Sequence, residues 1–159
     1  MGRAEVRVVR VGKRTTVLLL LLVTAAIIAL TLWMSGKAYT KVDPIPFREI
    51  RLLQQKLSEG PVAMPLVVAL VMPTVLNVLI FTPWGLLMFI ALDTVERPTN
   101  QSYLLTVLFA IAFSAGIEAW QYFLPTRVTD VNDVIANGIG AFAGAVLGHL
   151  RKRVRVSFE

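Results

Sequence analysis

The chain has 159 residues, of which 56% are hydrophobic and only 16% charged, and its mean hydropathy is +0.69. That balance excludes an ordinary soluble domain and reads as an integral membrane protein long enough for one small helical bundle. The net charge of +6 suggests nucleic acid at first sight, but the basic residues crowd at the two chain ends, a distribution that reports membrane orientation; no nucleic-acid partner is expected, and the absence of cysteine excludes disulfides and thiolate chemistry.

The apolar runs are continuous and rich in Leu, Val, Ala and Ile, whereas barrel strands alternate apolar with polar residues. The expected fold is therefore all-α, a bundle of four transmembrane helices with a short amphipathic interfacial helix after the first. Residues 1–16, with Arg3, Arg7, Arg10, Lys13 and Arg14, form a basic leader. The first span covers residues 17–34, opening on the uncharged run VLLLLLVTAAIIALTLW, close to the roughly 20 residues a spanning helix needs. A cleaved signal peptide is the competing reading, disfavoured because the apolar stretch is too long for a signal core and no A-x-A-like pair precedes a cut.

The DPIP run at Asp43 to Pro46 breaks any continuation of that helix. After it, Phe47, Ile50, Leu53 and Leu57 recur at near-helical spacing while Arg48, Arg51, Gln55 and Lys56 fall mostly elsewhere. This pattern predicts a short helix over about 47–57, lying in the headgroup region or packed on the bundle. Residues 62–92 carry no charge, and at 1.5 Å per residue they exceed the roughly 30 Å hydrocarbon core by about half. Pro65, Pro73 and Pro83 divide the run, so the second span is placed at 72–92, kinked near Pro83, with 62–71 as a tilted or interfacial extension. The third span covers 103–123 and the fourth 133–150, with the basic tail 151–159 following.

Both basic ends belong in the cytoplasm by the positive-inside rule, and an even number of spans brings them to the same side. The first loop, with Lys37, Lys41, Arg48, Arg51 and Lys56, runs against that assignment. The reading adopted is a multi-pass protein of the cell membrane with both termini cytoplasmic and the loop between the third and fourth spans extracytoplasmic.

Charge is costly where apolar segments meet, and there it persists mainly when it pairs, lines a watery cavity or does a job. Ser114, Glu118 and Gln121 share one face of the third helix, and Asp130, Asp133 and Asn137 share one face at the start of the fourth. Arg127 sits in the intervening turn, able to fork onto Glu118 or an aspartate. Glu118, Gln121, Arg127, Asp130, Asp133 and Asn137 are thus the candidate ligand-binding cluster, with Glu118, Asp130 and Asp133 as the catalytic candidates if the site does chemistry. A purely structural account is also open: Asp130 or Thr129 as a helix cap, Arg127 with Glu118 as a docking pair, and Gln121 with Asn137 as an interhelical hydrogen bond.

Gly140, Gly144 and Gly148 form a small-residue seam that lets another helix approach closely, within the bundle or, as an alternative, in a homodimer. Asn77 reads as a hydrogen bond to a neighbouring helix, and Asn77, Pro83 and Gly85 join the three seam glycines as structural positions. His149, the only histidine, lies at the far end of the fourth helix from the acids, so no metal and no cofactor are expected.

Taken in order, IPF with Ile50, NVLIFTPWGLL (77–87), IEAWQYFLPTR (117–127) and TDVNDVIANGIGAFAG (129–144) make the chain resemble the VanZ-like membrane proteins over roughly residues 15–150. The family pattern falls on Asn77, Phe81, Pro83, Gly85, Glu118, Gln121, Arg127, Asp130, Asp133, Asn137, Gly140 and Gly144; Thr82 and Trp84 depart from an aliphatic pair around the proline. The resemblance implies a link to teicoplanin resistance at the cell envelope, without a defined reaction. Together these readings point to an outward-facing pocket for a lipid headgroup or a lipid-linked envelope precursor. The alternatives are an accessory or scaffold subunit of a membrane complex, and an enzyme acting on a lipid-linked substrate.

Overall fold

The computed structural model describes residues 12–33, 42–43, 45–123 and 129–153. The protein is all-helical apart from one short strand pair, with α1 (Lys13–Trp33), α2 (Arg48–Glu59), α3 (Met64–Leu92), α4 (Thr99–Tyr122) and α5 (Val131–Arg153). Four of them, all but α2, are long and apolar enough to cross a membrane. α2 has no buried residue, and it carries apolar and basic side chains on different faces.

α3 is one continuous helix of 29 residues, so that most of the stretch read from the sequence as a tilted or interfacial extension of the second span, from Met64 on, is helical with it. The reason lies in the prolines. Pro65 falls in the first turn, where the missing N–H has no intrahelical partner to lose. Pro73 and Pro83 each remove one backbone bond, a loss that neighbouring groups make tolerable in membrane helices. At about 43 Å for its 29 residues, α3 exceeds a bilayer core and must tilt or project beyond it. α1 begins inside the stretch read as a leader, and α5 runs on into the basic tail.

α5 is the central helix, with half of its apolar span buried against the other elements. Its main partner is α3, and the glycines explain the closeness. A Cβ on Gly85 would strike the Ala141 backbone, one on Gly140 the Val78 carbonyl, and one on Gly144 the Thr82 carbonyl. Gly148 stands against the Phe89 ring and the Leu86 carbonyl. The seam is thus a contact within the bundle, the first of the two readings the sequence offered, with α3 of the same chain against it; a homodimer through the same glycines, the alternative, would have to displace that helix.

α1 packs mainly on α3. Its Thr24 hydroxyl donates to the Leu20 carbonyl at 2.8 Å and accepts the Trp84 indole N–H at 3.0 Å, so the tryptophan's polar handle is satisfied across helices. Ile27, Phe81, Trp84, Ala110 and Ala141 form the apolar core, with Phe113 stacked on Trp84 at 5.7 Å between ring centroids. The buried face of α4, by contrast, reads Ser102, Thr106, Ala110, Ser114, Glu118 and Gln121, while Leu104, Leu108 and Phe109 are exposed. In lipid there is little hydrophobic force between helices, so small and polar groups occupy the contacts and large apolar groups face outward.

At one end of the bundle, Tyr103, Phe89 and His149 cluster, with the Tyr103 hydroxyl 3.1 Å from His149 Nδ1. At the other end, Val42–Asp43 and Thr129–Asp130 pair as parallel strands β1 and β2, which brings the segment before α2 beside the start of α5.

Candidate functional site

The polar face of α4 meets the polar start of α5 at the end of the bundle that carries the strand pair. Asp130 immediately precedes α5, and its Oδ1 accepts the Asn132 backbone N–H at 2.8 Å, the geometry of a helix N-cap. Its own backbone N–H donates to Glu118 Oε2 at 2.9 Å. Glu118, only 5% exposed, thus lies beside the N-terminus of α5, where exposed N–H groups and the helix dipole favour a carboxylate.

One turn further along α5, Asp133 Oδ1 accepts an N–H of the Asn77 amide from α3 at 2.6 Å. Asn137, another turn on, donates from Nδ2 to Ser114 Oγ of α4 at 2.7 Å. The interhelical bond of Asn137 therefore goes to Ser114, where the sequence suggested Gln121. Asn137 is 6% exposed, and its Oδ1 is buried without a hydrogen-bond partner. A buried carbonyl left without a donor costs about 1–3 kcal/mol.

Asn137 is also one of the residues that wall a cavity of about 170 Å³ framed by all four membrane-length helices. Ile117, Glu118 and Gln121 come from α4 and Asp133 and Asn137 from α5. The rest of the wall is Ile27, Leu30 and Thr31 of α1 with Pro73, Leu76, Asn77, Ile80 and Phe81 of α3. Its buried residues are the polar Glu118, Gln121 and Asn137 together with the apolar Ile27 and Phe81. The exposed residues at its edge, Leu30, Pro73 and Leu76, are apolar. The volume accommodates several waters or a small polar fragment, since roughly 10–15 Å³ of such space suffices for one water.

Of the residues the sequence singled out, Glu118, Gln121, Asp133 and Asn137 share this cavity, and Asn77 joins them. Asp130 is not part of its wall; it caps α5 and ties that helix to Glu118. Arg127 lies outside the described residues. Among the described residues, no group of His, Cys, Asp and Glu has the arrangement of a metal site.

Three participants escaped the sequence reading. Asn132 is a junction: its Oδ1 accepts the Phe47 backbone N–H at 2.7 Å and its Nδ2 donates to Glu49 Oε2 at 2.9 Å. These bonds fasten the start of α2 next to the site. Phe47 adopts the left-handed conformation with φ 60°, which costs an L-residue roughly 1–2 kcal/mol and persists where surrounding contacts fix it. The only local signal was an asparagine two residues after a capping aspartate; its partners lie more than 80 positions away in sequence.

Four helices long and apolar enough to cross a membrane fit a multi-pass membrane protein. The model of the VanZ/LLP1 family matches residues 17–152, nearly the whole chain, and the protein belongs to that family. No curated protein and no solved structure matches the chain.

Proposed function

We propose that the protein is a binding module of the bacterial cell envelope, and that its cavity receives the polar headgroup of a bilayer lipid or a lipid-linked envelope precursor. The observation that carries this reading is a cavity framed by the four membrane-length helices whose wall includes the buried polar side chains Glu118, Gln121 and Asn137. Polar groups in such a place are ordinarily satisfied by protein, water or ligand. The apolar edge formed by Leu30, Pro73 and Leu76 favours a ligand that arrives from lipid. On the charge pattern of the sequence, the termini are cytoplasmic and the cavity faces the extracytoplasmic leaflet, where an effect on glycopeptide susceptibility would arise. Arg127 is assigned, from sequence alone, to the phosphate or carboxylate of the ligand.

The competing reading is a scaffold whose polar groups only pin its helices, and the Glu118–Asp130 bond favours it. Glu118→Gln separates the two, because a Gln carbonyl still accepts the Asp130 N–H while the charge is gone. A binding module gives a folded variant that has lost bound lipid and phenotype; a scaffold gives wild-type behaviour in both. Native mass spectrometry of gently extracted protein, alongside a susceptibility assay, provides the readout.

A further inference from the structure

The ends of the membrane-length helices are not level. Asp133 meets Asn77, Gly140 the Val78 carbonyl and Gly144 the Thr82 carbonyl, so α3 and α5 run parallel in a fixed register. That register sets Val131, the start of α5, near Met72 of α3. Thr24 meets Trp84, and Leu30 and Thr31 share a wall with Pro73 and Leu76, which brings the last described turn of α1 to the same level. Met64 to Val71, the first two turns of α3, therefore stand about 12 Å beyond both. The buried residues of α3 all lie from Phe81 on, whereas Met64, Leu66, Val68 and Val71 are exposed.

α2 occupies the same layer. Its start is fixed beside α5 by the two Asn132 bonds, and its end is joined to α3 by Gly60 to Ala63 alone. Its 12 residues reach about 18 Å, too short to cross a hydrocarbon core of about 30 Å. Ile50 and Leu57 are exposed along one face, with Phe47 exposed ahead of them, while Arg48, Gln55 and Glu59 fall on the opposite side. A helix of low overall hydrophobicity with such segregated faces has the make-up of one that lies at a membrane surface.

We propose that α2 and the first two turns of α3 form a hairpin seated in the headgroup–acyl boundary of the leaflet at which α5 begins, with Ile50, Leu57, Met64 and Leu66 toward the acyl chains and Arg48 and Lys56 among the headgroups. Its occupant is the bilayer that the chain itself spans, because the exposed apolar surface is continuous. No polar side chain interrupts residues 61–72, and the exposed row runs on through Leu76 and Leu79 into the spanning part of α3. The length of α3 agrees: about 43 Å equals a bilayer with both headgroup layers, about 40–45 Å, so its first turns fall in that layer. This inference is independent of what the cavity holds.

The chain has no cysteine, so single-cysteine variants carry a nitroxide spin label without background. Ile50→Cys, Leu57→Cys and Leu66→Cys report the apolar side and Gln55→Cys and Glu59→Cys the polar one, each in the full chain reconstituted into vesicles of phosphatidylcholine with phosphatidylglycerol. Collision of the label with dissolved oxygen, which concentrates among acyl chains, is compared with collision with a water-soluble nickel chelate. The expected oxygen-to-nickel ratio is at least about threefold higher at the first three positions than at the other two, as for a helix whose apolar face lies about 5–10 Å into the boundary. Each side is read at more than one position, so a variant that fails to fold leaves the comparison intact. Nickel collisions equally frequent at all five positions put the hairpin in water and overturn the proposal. Infrequent collision with both reagents at Ile50, Leu57 and Leu66 means that a second copy or another subunit covers the face, and overturns the bilayer as its occupant.

Discussion

One stripe of α5, running through Asp133, Asn137, Gly140, Gly144 and Gly148, does two different things along its length. In the glycine half, the absence of side chains draws α3 and α5 together until backbone meets backbone. In the polar half, Asp133 reaches Asn77 and Asn137 reaches Ser114, and a cavity is left between the helices. Side-chain size decides which half closes.

The comparison can be broken most forcefully at Gly144. An added Cβ meets the Thr82 carbonyl and the Leu86 N–H, backbone atoms that cannot swing aside. Gly144→Ala is expected to lose about 1–3 kcal/mol or more and to fail as a monodisperse protein in detergent; a wild-type unfolding temperature would mean that the seam is looser than described.

Asn77→Ala tests the other half. It removes the Asp133 partner, with an expected loss of about 1–3 kcal/mol and weakened ligand retention together. Asp130→Ala removes the α5 cap and should cost about 1 kcal/mol in thermal unfolding while leaving ligand retention intact, because Asp130 does not line the cavity. Loss of ligand in that variant would move Asp130 into the site. The smallest effect is expected at Gly116, whose Cβ would meet nothing; Gly116→Ala should be neutral or stabilising by up to about 1 kcal/mol in the same unfolding assay.

The sequence made the four spans visible because each is a long, predominantly apolar run, and the two polar stripes visible because helical spacing places Glu118 with Gln121 and Asp133 with Asn137. It also located the glycines, though not their partner: close approach is shared by two helices, and only Gly85 on α3 hinted at the other side. The continuity of α3 was hidden because proline reads as a breaker in water, while Pro65 sits harmlessly in a first turn. Asp130 looked like its neighbour Asp133, yet one caps a helix and the other lines a cavity, a distinction set by a shift of three residues. The apolar wall from α1 and the Asn132 junction to α2 depend on contacts between distant segments, for which local periodicity carries no signal.

The central claim is that the polar half of the α5 stripe binds and the glycine half holds. It is tested most directly by measuring lipid retention and thermal unfolding in parallel for the wild-type protein and for Glu118→Gln. The account predicts that the bound lipid disappears while the unfolding temperature stays within a few degrees of wild type. Retention of the same lipid at the same level in a folded Glu118→Gln protein would contradict it.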